Sequence, residues 1–163
     1  MAGTKLILDP ASSMRSFYLN KNDERVIYGD IREAESHTLT NGRTIHINPE
    51  IVLDYRALPF QDNSFKMVIF DPPHLTGLSP KSWIRKKYGV LNKETWKQDL
   101  KQAFTECFRV LQINGVLVFK WNDTSILLKE ILKLTNQKPI IGHKSAKRML
   151  THWVLFMKEP INA

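Results

Sequence analysis

Four apolar runs, each ending at an aspartate, constrain the fold of this chain more than any other feature of its sequence. The runs are rich in β-branched and aromatic residues and stop at Asp9, Asp30, Asp54 and Asp71. Runs of this length and composition predict buried strands, and helical stretches alternate with several of them. This alternation predicts an α/β fold built on an open, mostly parallel sheet.

The second half of the chain extends the sheet. Residues 115–119 predict a fifth strand, and residues 139–141 and 150–157 predict two more. Only about ten residues separate the last two, whereas a parallel pair needs a crossover of a dozen or more. The sheet is therefore predicted to end in an antiparallel pair.

The connections between these strands differ in character. Residues 10–24 predict a loop with a short, poor helix, whereas Asn41-Gly42 predicts an inserted β-hairpin over residues 38–47, with a type I′ turn. Apolar side chains at three- and four-residue steps predict a helix over 93–111. A further helix is predicted over 125–135.

Length and composition indicate one globular domain spanning residues 1–163. Hydrophobic residues make up 42% of the chain and charged residues 25%, values that exclude disordered and low-complexity classes. No apolar run approaches the roughly 18 residues that cross a bilayer, and Asp9-Pro10 comes too early for a signal-peptide core. The single cysteine, Cys107, excludes a disulfide framework and is predicted to lie in the core. We therefore expect a cytoplasmic protein without a membrane partner.

The net charge of +8 is concentrated in two segments. Residues 78–101 carry seven lysines and arginines against two acids, and residues 138–148 carry four with no acid. If the two segments share a face, they predict a polyanionic partner. The alternative is that these side chains only solvate a helix and a hairpin tip.

The aspartates at the strand ends indicate a ligand site. In doubly wound sheets, ligands bind outside the carboxyl ends of the strands. Asp30 follows Asp9 by 21 residues, close to the spacing at which an acid after the second strand binds ribose hydroxyls. A cofactor with an amine, a ribose and an adenine offers donors that such carboxylates accept.

The segment from Asp54 to Val68 resembles the stretch Asp-x-x-x-Leu-Pro-Phe-x-Asp-x-Ser-Phe-Asp of class I S-adenosylmethionine-dependent methyltransferases. Sheets of that family also end in an antiparallel pair. The resemblance implies a Rossmann-like methyltransferase sheet whose S-adenosylmethionine is bound by Asp9, Asp30, Asp54 and Leu58. In that family the aspartate at the position of Asp54 accepts from the adenine amino group, and the Leu-Pro-Phe segment packs near the ring. A strand end followed by a proline turn is the alternative.

Asp71-Pro72-Pro73-His74 resembles the (Asp/Asn/Ser)-Pro-Pro-aromatic motif of methyltransferases that act on exocyclic amines of bases. Such an amine is a weak nucleophile because its lone pair is delocalised into the ring. The Asp71 carboxylate and the Pro72 carbonyl would accept its two N–H bonds and aim the lone pair at the methyl group. His74 replaces the aromatic residue that stacks on an extruded base. A plain turn and a metal ligand are the alternatives, and no partner at ligand spacing supports a metal.

The loop after the first strand departs from the family pattern. Family members have a glycine-rich turn there, whereas residues 10–18 contain no glycine. Small residues, among them Ala11 and Ser13, would take its place against the cofactor, although a serine with positive φ costs about 1 kcal/mol. The departure implies weak cofactor binding or a degenerate site.

Phe119-Lys120-Trp121-Asn122, together with the Asp-Pro-Pro-His motif, resembles small phage- and prophage-associated methyltransferases over residues 5–157. This resemblance implies that Lys120 and Asn122 edge the same cleft as Asp71. The alternative for Lys120 is a strand end whose side chain reaches into solvent.

Residues 76–91 are predicted to form a basic loop or lid. Trp83 and Tyr88 flank Arg85, Lys86 and Lys87, and aromatic residues interleaved with cations suit base stacking and phosphate contact. An ordinary basic loop with its aromatic residues packed inward is the alternative.

These features predict methyl transfer to an exocyclic amino group of a nucleic-acid base, adenine N6-like, in DNA more than in RNA. A chain of this length leaves no room for a target-recognition domain, so selectivity would be weak or supplied by a partner or a second copy, and a homodimer stays open. One alternative is a methyltransferase of a small-molecule or protein amine. The other is a degenerate, non-catalytic fold that binds nucleic acid.

Overall fold

The computed structural model describes residues 5–146 and 149–160. In chain order its elements are β1 Ile7–Asp9, β2 Val26–Asp30, β3 Glu35–Thr38, β4 Thr44–Ile47, β5 Ile51–Val52, β6 Phe65–Phe70, α1 Trp83–Tyr88, α2 Trp96–Val110, β7 Leu111–Asn122, α3 Leu128–Ile131, β8 Ile141–Ala146 and β9 Met149–Met157. A 3₁₀ turn over Leu132–Leu134 extends α3. No helix in these ranges is long and apolar enough to cross a membrane.

Seven strands form one sheet in the order β5-β2-β1-β6-β7-β9-β8. The strands from β5 to β7 are parallel to their neighbours, and β9 is antiparallel to β7 and β8. The predicted α/β fold, with a mostly parallel sheet and an antiparallel C-terminal pair, is therefore confirmed. The strand order reverses between β1 and β6, and ligands bind at such a switch point in open α/β sheets.

The core lies between the sheet and α2. Phe104 of α2 stands 5.0 Å from the ring of Phe119 on β7 and 6.1 Å from that of Phe70 on β6, measured between ring centroids. Cys107 is fully buried beside these rings, and burial raises the pKa of its thiol. The prediction that Cys107 is an inert core residue agrees with this placement.

The predicted helices are longer than those observed. Residues 10–24 form turns without a helix, since Ser13 and Arg15 take positive φ angles of 47° and 55°, which a right-handed helix excludes. The helix predicted over 93–111 is Trp96–Val110, and β7 follows it without a loop. Of the helix predicted over 125–135, only α3 and its 3₁₀ extension form.

The inserted hairpin is present, but its turn is of another type. β3 and β4 pair antiparallel, and five residues connect them, with Gly42 N donating to Leu39 O at 2.9 Å and Leu39 N to Arg43 O at 2.8 Å. Gly42 has a φ of 79°, whereas Asn41 has no positive φ, so the predicted type I′ turn is wrong. The side chain of Asn41 instead accepts from Arg43 N at 3.1 Å, which favours the longer loop.

The C-terminal hairpin is also longer than predicted. Its strands β8 and β9 replace the predicted 139–141 and 150–157, and only residues 147–148 join them. Lys147 and Arg148, half of the cations of the second basic segment, lie outside the described residues.

Candidate active site

Two adjoining groups of residues lie at the carboxyl ends of the central strands. A cavity of about 290 Å³, called here the cleft, is bordered by Ala11, Asp30, Arg32, Tyr55, Pro73 and Tyr88 among others. The second group, called here the corner, consists of Asp71, Pro72, Pro73 and His74 after β6 and Lys120 near the end of β7. Pro73 belongs to both groups, so the corner adjoins the cleft.

Asp9 lies beneath the loop that follows β1 and is fully buried. Its carboxyl accepts from the Tyr18 hydroxyl at 2.9 Å and from Ala11 N at 3.1 Å. Burial raises the pKa of Asp9 to about 8, with smaller contributions from Asp71 and Asp30. Asp9 is therefore largely protonated at neutral pH, and its hydrogen bonds support the loop that borders the cleft. Tyr18 shares in this support, and the sequence analysis did not identify it.

Asp30 borders the cleft, as its predicted contact with the ribose requires, but its acceptor positions are filled. Arg32 donates through Nε to Oδ1 and through Nη2 to Oδ2, each at 2.8 Å. The main-chain N–H groups of Arg32 and Ser13 add one bond each at 3.0 Å. Because a carboxylate offers about four lone-pair positions, a ribose hydroxyl would have to displace one of these donors.

Arg32 also holds α1 over the cleft. Its Nη1 donates to the carbonyl oxygens of Lys86 and Lys87, at 2.9 and 3.2 Å. The Ser13 hydroxyl donates to the same Lys87 carbonyl. Ser13, which is predicted to lie against the cofactor, and Arg32, which the sequence did not single out, thus hold the end of α1 in place.

Asp54 is paired in the same way as Asp30. Arg56 donates through Nη2 to Oδ2 at 2.6 Å and through Nε to both oxygens at 3.0 Å, and these bonds lower the pKa of Asp54. Arg56 continues to Asp99 Oδ1 at 3.1 Å. Tyr55, Arg56 and Asp99, rather than Asp54 itself, border the cleft.

Leu58 departs from its predicted position against the adenine. Its side chain is 4% exposed and packs in the core. Its main-chain N–H donates to Glu106 Oε2 at 2.8 Å and its carbonyl accepts from Arg109 Nη2 at 3.0 Å. The Leu-Pro-Phe segment is therefore bound to α2, and the side chain of Leu58 lies in the core.

The corner holds a carboxylate with one free oxygen. Lys120 Nζ donates to Asp71 Oδ2 at 2.6 Å, and within the described residues no donor reaches Oδ1. Burial raises the pKa of Asp71, and Lys120 opposes that rise. Pro72 is buried, and its carbonyl oxygen likewise accepts nothing from residues 5–146 or 149–160. The structure therefore places two adjacent acceptors, Asp71 Oδ1 and Pro72 O, without a donor.

Aromatic rings surround this corner. His74 lies 6.4 Å from the Tyr88 ring and 6.3 Å from that of Trp121. Burial and the nearby Lys120 charge lower the pKa of His74 to about 4, so the imidazole is neutral near pH 7. Phe17 and Trp153 lie 5.3 and 5.7 Å from Lys120 Nζ and pack edge to face against each other.

Two of the other residues predicted to bind substrate form hydrogen bonds within the protein, and two lie on α1 with no such side-chain bond described. Asn122 closes the end of β7, donating to Thr151 Oγ1 at 3.0 Å. Arg85 donates to Leu78 O at 2.9 Å and braces the basic loop. Lys87 places Nζ 4.4 Å from the Tyr88 ring, and Lys86 borders another cavity. Of the predicted set, Lys120 alone donates to Asp71 within the described residues.

Arg32 and Arg56 are missing from the sequence predictions, although a local signal points to them. The pattern Asp-x-Arg occurs at residues 23–25, 30–32 and 54–56. In all three copies the arginine main-chain N–H donates to the aspartate Oδ1 and the guanidinium binds the same carboxylate. An aspartate that bonds the backbone two residues on is a known turn former, and here it positions the arginine side chain as well.

No protein-family model matches the sequence, and no curated protein matches it. Solved structures do match. The PH0226 protein from Pyrococcus horikoshii OT3 aligns with a TM-score of 0.61 and 15% identity over 94% of this chain and 81% of its own. An rRNA methylase from Streptococcus thermophilus aligns with a TM-score of 0.52 and 13% identity over 94% and 87%.

A third solved structure contains ligands. It is the Burkholderia thailandensis 1,6-didemethyltoxoflavin-N1-methyltransferase, with bound 1,6-didemethyltoxoflavin and S-adenosylhomocysteine. It aligns with a TM-score of 0.54 and 11% identity over 94% of this chain and 71% of its own. These likenesses establish that the chain has the Rossmann-like fold of class I methyltransferases.

Proposed function

We propose that this protein is an S-adenosylmethionine-dependent methyltransferase that modifies an exocyclic amino group of a nucleic-acid base. The observation that carries the proposal is the pair of acceptors without a described donor, Asp71 Oδ1 and the carbonyl of Pro72, on a diproline corner that shares Pro73 with the cleft. An exocyclic amine has two N–H bonds for two such acceptors. Proteins of the same fold include methyltransferases of a small heterocycle and of rRNA.

The cleft suits the adenosine part of S-adenosylmethionine. Asp99 borders the cleft, and Asp30 would accept from a ribose hydroxyl once one of its present donors is displaced. Tyr55 and the 54% exposed Ile31 supply apolar surface for a purine ring. The cleft volume of about 290 Å³ lies just below the range for ligand pockets, about 300–1,000 Å³. Arg32, which bonds both Asp30 and α1, borders the cleft.

The chain's own residues would orient the amine and take its proton. When bound, the cofactor supplies an electrophilic methyl group on a sulfonium sulfur. Asp71 Oδ1 and Pro72 O accept the two N–H bonds and free the nitrogen lone pair for attack. Transfer would form a nitrogen–carbon bond in exchange for the sulfur–carbon bond of the cofactor, and Asp71 would take the surplus proton from the nitrogen. Lys120 opposes the protonation of Asp71 that burial favours, and neutral His74 contacts the base without adding charge.

A nucleic acid is the substrate class that the charge supports. Helix α1, whose last residue Tyr88 borders the cleft, carries Arg85, Lys86 and Lys87, and phosphate contacts dominate nucleic-acid affinity. We propose DNA rather than RNA as the preferred substrate, and a cytoplasmic location for the protein.

A non-catalytic nucleic-acid-binding module is the second candidate. The observation that favours it is Asp30, whose four acceptor positions are all taken by Arg32 and Ser13. If Arg32 does not release Asp30, the ribose loses its principal acceptor.

Calorimetry and isotope transfer separate the two candidates. Titration with S-adenosylmethionine should show binding, and cofactor labelled at the methyl group should label DNA or RNA, with digestion identifying the nucleoside. Asp71→Ala should abolish transfer and keep cofactor affinity within a few fold. No binding at millimolar cofactor would favour the module, and labelling of protein or small amines alone would contradict the nucleic-acid substrate.

A further inference from the structure

A second cavity borders the first turn of α1, whereas the cleft borders its last residue. It has a volume of about 470 Å³ and separates the loop of the β3–β4 hairpin from the start of α1. Leu39 and Arg43 border it from the hairpin, and Lys81, Trp83 and Lys86 border it from the basic loop. We call this cavity the hairpin groove.

The lining of the hairpin groove is cationic and aromatic. Arg43, Lys81 and Lys86 contribute three positive charges, and no carboxylate borders the groove. None of the three forms an ion pair with a carboxylate in the described part of the chain. Trp83 is 52% exposed, a large uncovered area for an indole ring. Cations without partners around an exposed aromatic ring are the features that bind a phosphate-linked base.

Both walls of the groove are fixed without a ligand. The hairpin is anchored by Ile45 and Ile47, each 1% exposed. The opposite wall is α1, whose last carbonyls accept from Arg32 and Ser13. A preformed groove loses less entropy when a ligand binds than a groove that must first be ordered.

The groove lies close enough to the corner to hold part of the same substrate. Trp83 and Tyr88 occupy the two ends of α1, five residues and about 7.5 Å apart along the helix axis. Tyr88 lies 6.4 Å from the His74 ring at the corner. Trp83 is therefore separated from the corner by about the length of this short helix.

We infer that the hairpin groove binds a single-stranded nucleic acid, with one base stacked on Trp83 and neighbouring phosphates paired with Arg43, Lys81 and Lys86. This inference rests on the proposed function, because the groove would hold the strand whose other base enters the corner. Stacking requires an unpaired base, since a duplex covers both faces of its bases. The hairpin thereby supplies part of the contact with the target strand.

The test is fluorescence anisotropy with a labelled oligonucleotide of about twelve nucleotides, offered as single-stranded DNA, single-stranded RNA and duplex DNA, without cofactor. Trp83→Ala should weaken single-strand binding by about 5- to 100-fold, the range for loss of one stacked base, and Trp83→Phe should retain most of the affinity. Arg43→Ala should lower the slope of log K against log salt by about 0.7, as expected for one lost phosphate contact.

The matched control is Lys129→Ala, which removes one exposed positive charge from α3, outside both basic segments. It should leave affinity within about twofold. Wild-type affinity in both Trp83→Ala and Arg43→Ala would overturn the inference, as would a preference for the duplex or equal binding of an acidic peptide. The DNA and RNA arms show which sugar the groove accepts.

A methyl-transfer assay separates this inference from the proposed function. Nucleic-acid methylation with unchanged KM in Trp83→Ala would overturn the groove and leave the function standing. Groove variants that lose strand binding, in a protein that methylates no nucleic acid, would support the groove and overturn the function.

Discussion

Lys120 Nζ lies 2.6 Å from Oδ2 of Asp71, so the two residues form one ion pair across neighbouring strands β6 and β7. Their side chains are 23% and 14% exposed. The ion pair holds the Asp71 carboxylate through Oδ2, and no donor among the described residues reaches Oδ1. Burial raises the pKa of Asp71 and so favours the protonated carboxyl, whose hydroxyl oxygen is a poor acceptor. The ammonium group of Lys120 lowers the same pKa and so favours the carboxylate.

Replacing Lys120 should therefore shift the ionisation of Asp71. Lys120→Met removes the cation that opposes burial, so the pKa of Asp71 rises and methyl transfer requires a higher pH. We expect the acid limb of the kcat/KM profile to move to higher pH, with a loss of about 1–3 kcal/mol in the free energy of unfolding at pH 7 for a partly buried acceptor left without its donor. Lys120→Arg is the matched control and should keep the acid limb and the free energy of unfolding close to those of the wild type. An unshifted acid limb in Lys120→Met would show that Asp71 is not the titrating acceptor.

Arg32 should control the mobility of α1. Arg32→Ala removes two donors from the carbonyls of Lys86 and Lys87, and we expect amide hydrogen exchange over residues 83–89 to accelerate several-fold. Arg25→Ala is a matched control, because Arg25 forms the same pairing with Asp23 at a site away from the cleft. If exchange over 83–89 is equal in the two variants, Arg32 does not hold α1.

The sequence predicted the parts of the structure that depend on local pattern. The apolar runs ending at Asp9, Asp30, Asp54 and Asp71 are strands in the expected sheet. Strands of a parallel sheet are covered on both faces, so they are apolar whichever strand they pair with, and the pattern can be recognised locally. The corner at Asp71 follows from a rigid diproline and a strand end. Helix ends were less predictable, because the switch from Val110 directly into β7 is decided by pairing with β6 rather than by a capping residue.

The pairing of the acids could not be predicted from strand ends alone. The sequence identifies Asp30 and Asp54 as acceptors, but whether a ligand or an arginine fills them depends on side-chain geometry. Leu58 fits the family motif and yet packs in the core, because its main-chain groups bind Glu106 and Arg109 some 50 residues away in sequence. Contacts at that separation have no local signature.

Asp9 should make the protein less stable as pH rises. Its pKa is about 8 in the folded protein, against an ordinary value of 3.8 for an exposed aspartate, so the native protein holds a proton that the unfolded chain releases. The stability contributed by this proton is present below about pH 4 and is lost as pH rises toward 8. Asp9→Asn should be near wild type at pH 4 and increasingly more stable than wild type up to pH 8. Urea unfolding across this range measures the difference, and a difference independent of pH would contradict the assignment.

Gly89 should tolerate no side chain, because it fits between α1 and the diproline corner. Its φ is 79°, and a Cβ atom there would lie 3.0 Å from Cγ of Pro73. Gly89→Ala should cost about 1–2 kcal/mol in the free energy of unfolding from backbone strain, and should displace the end of α1 from the corner. Gly142→Ala on β8 is the matched control, since its Cβ would meet nothing within 4 Å and its φ is not positive. Chemical denaturation compares the two, and equal midpoints would mean that α1 does not pack on Pro73 in solution.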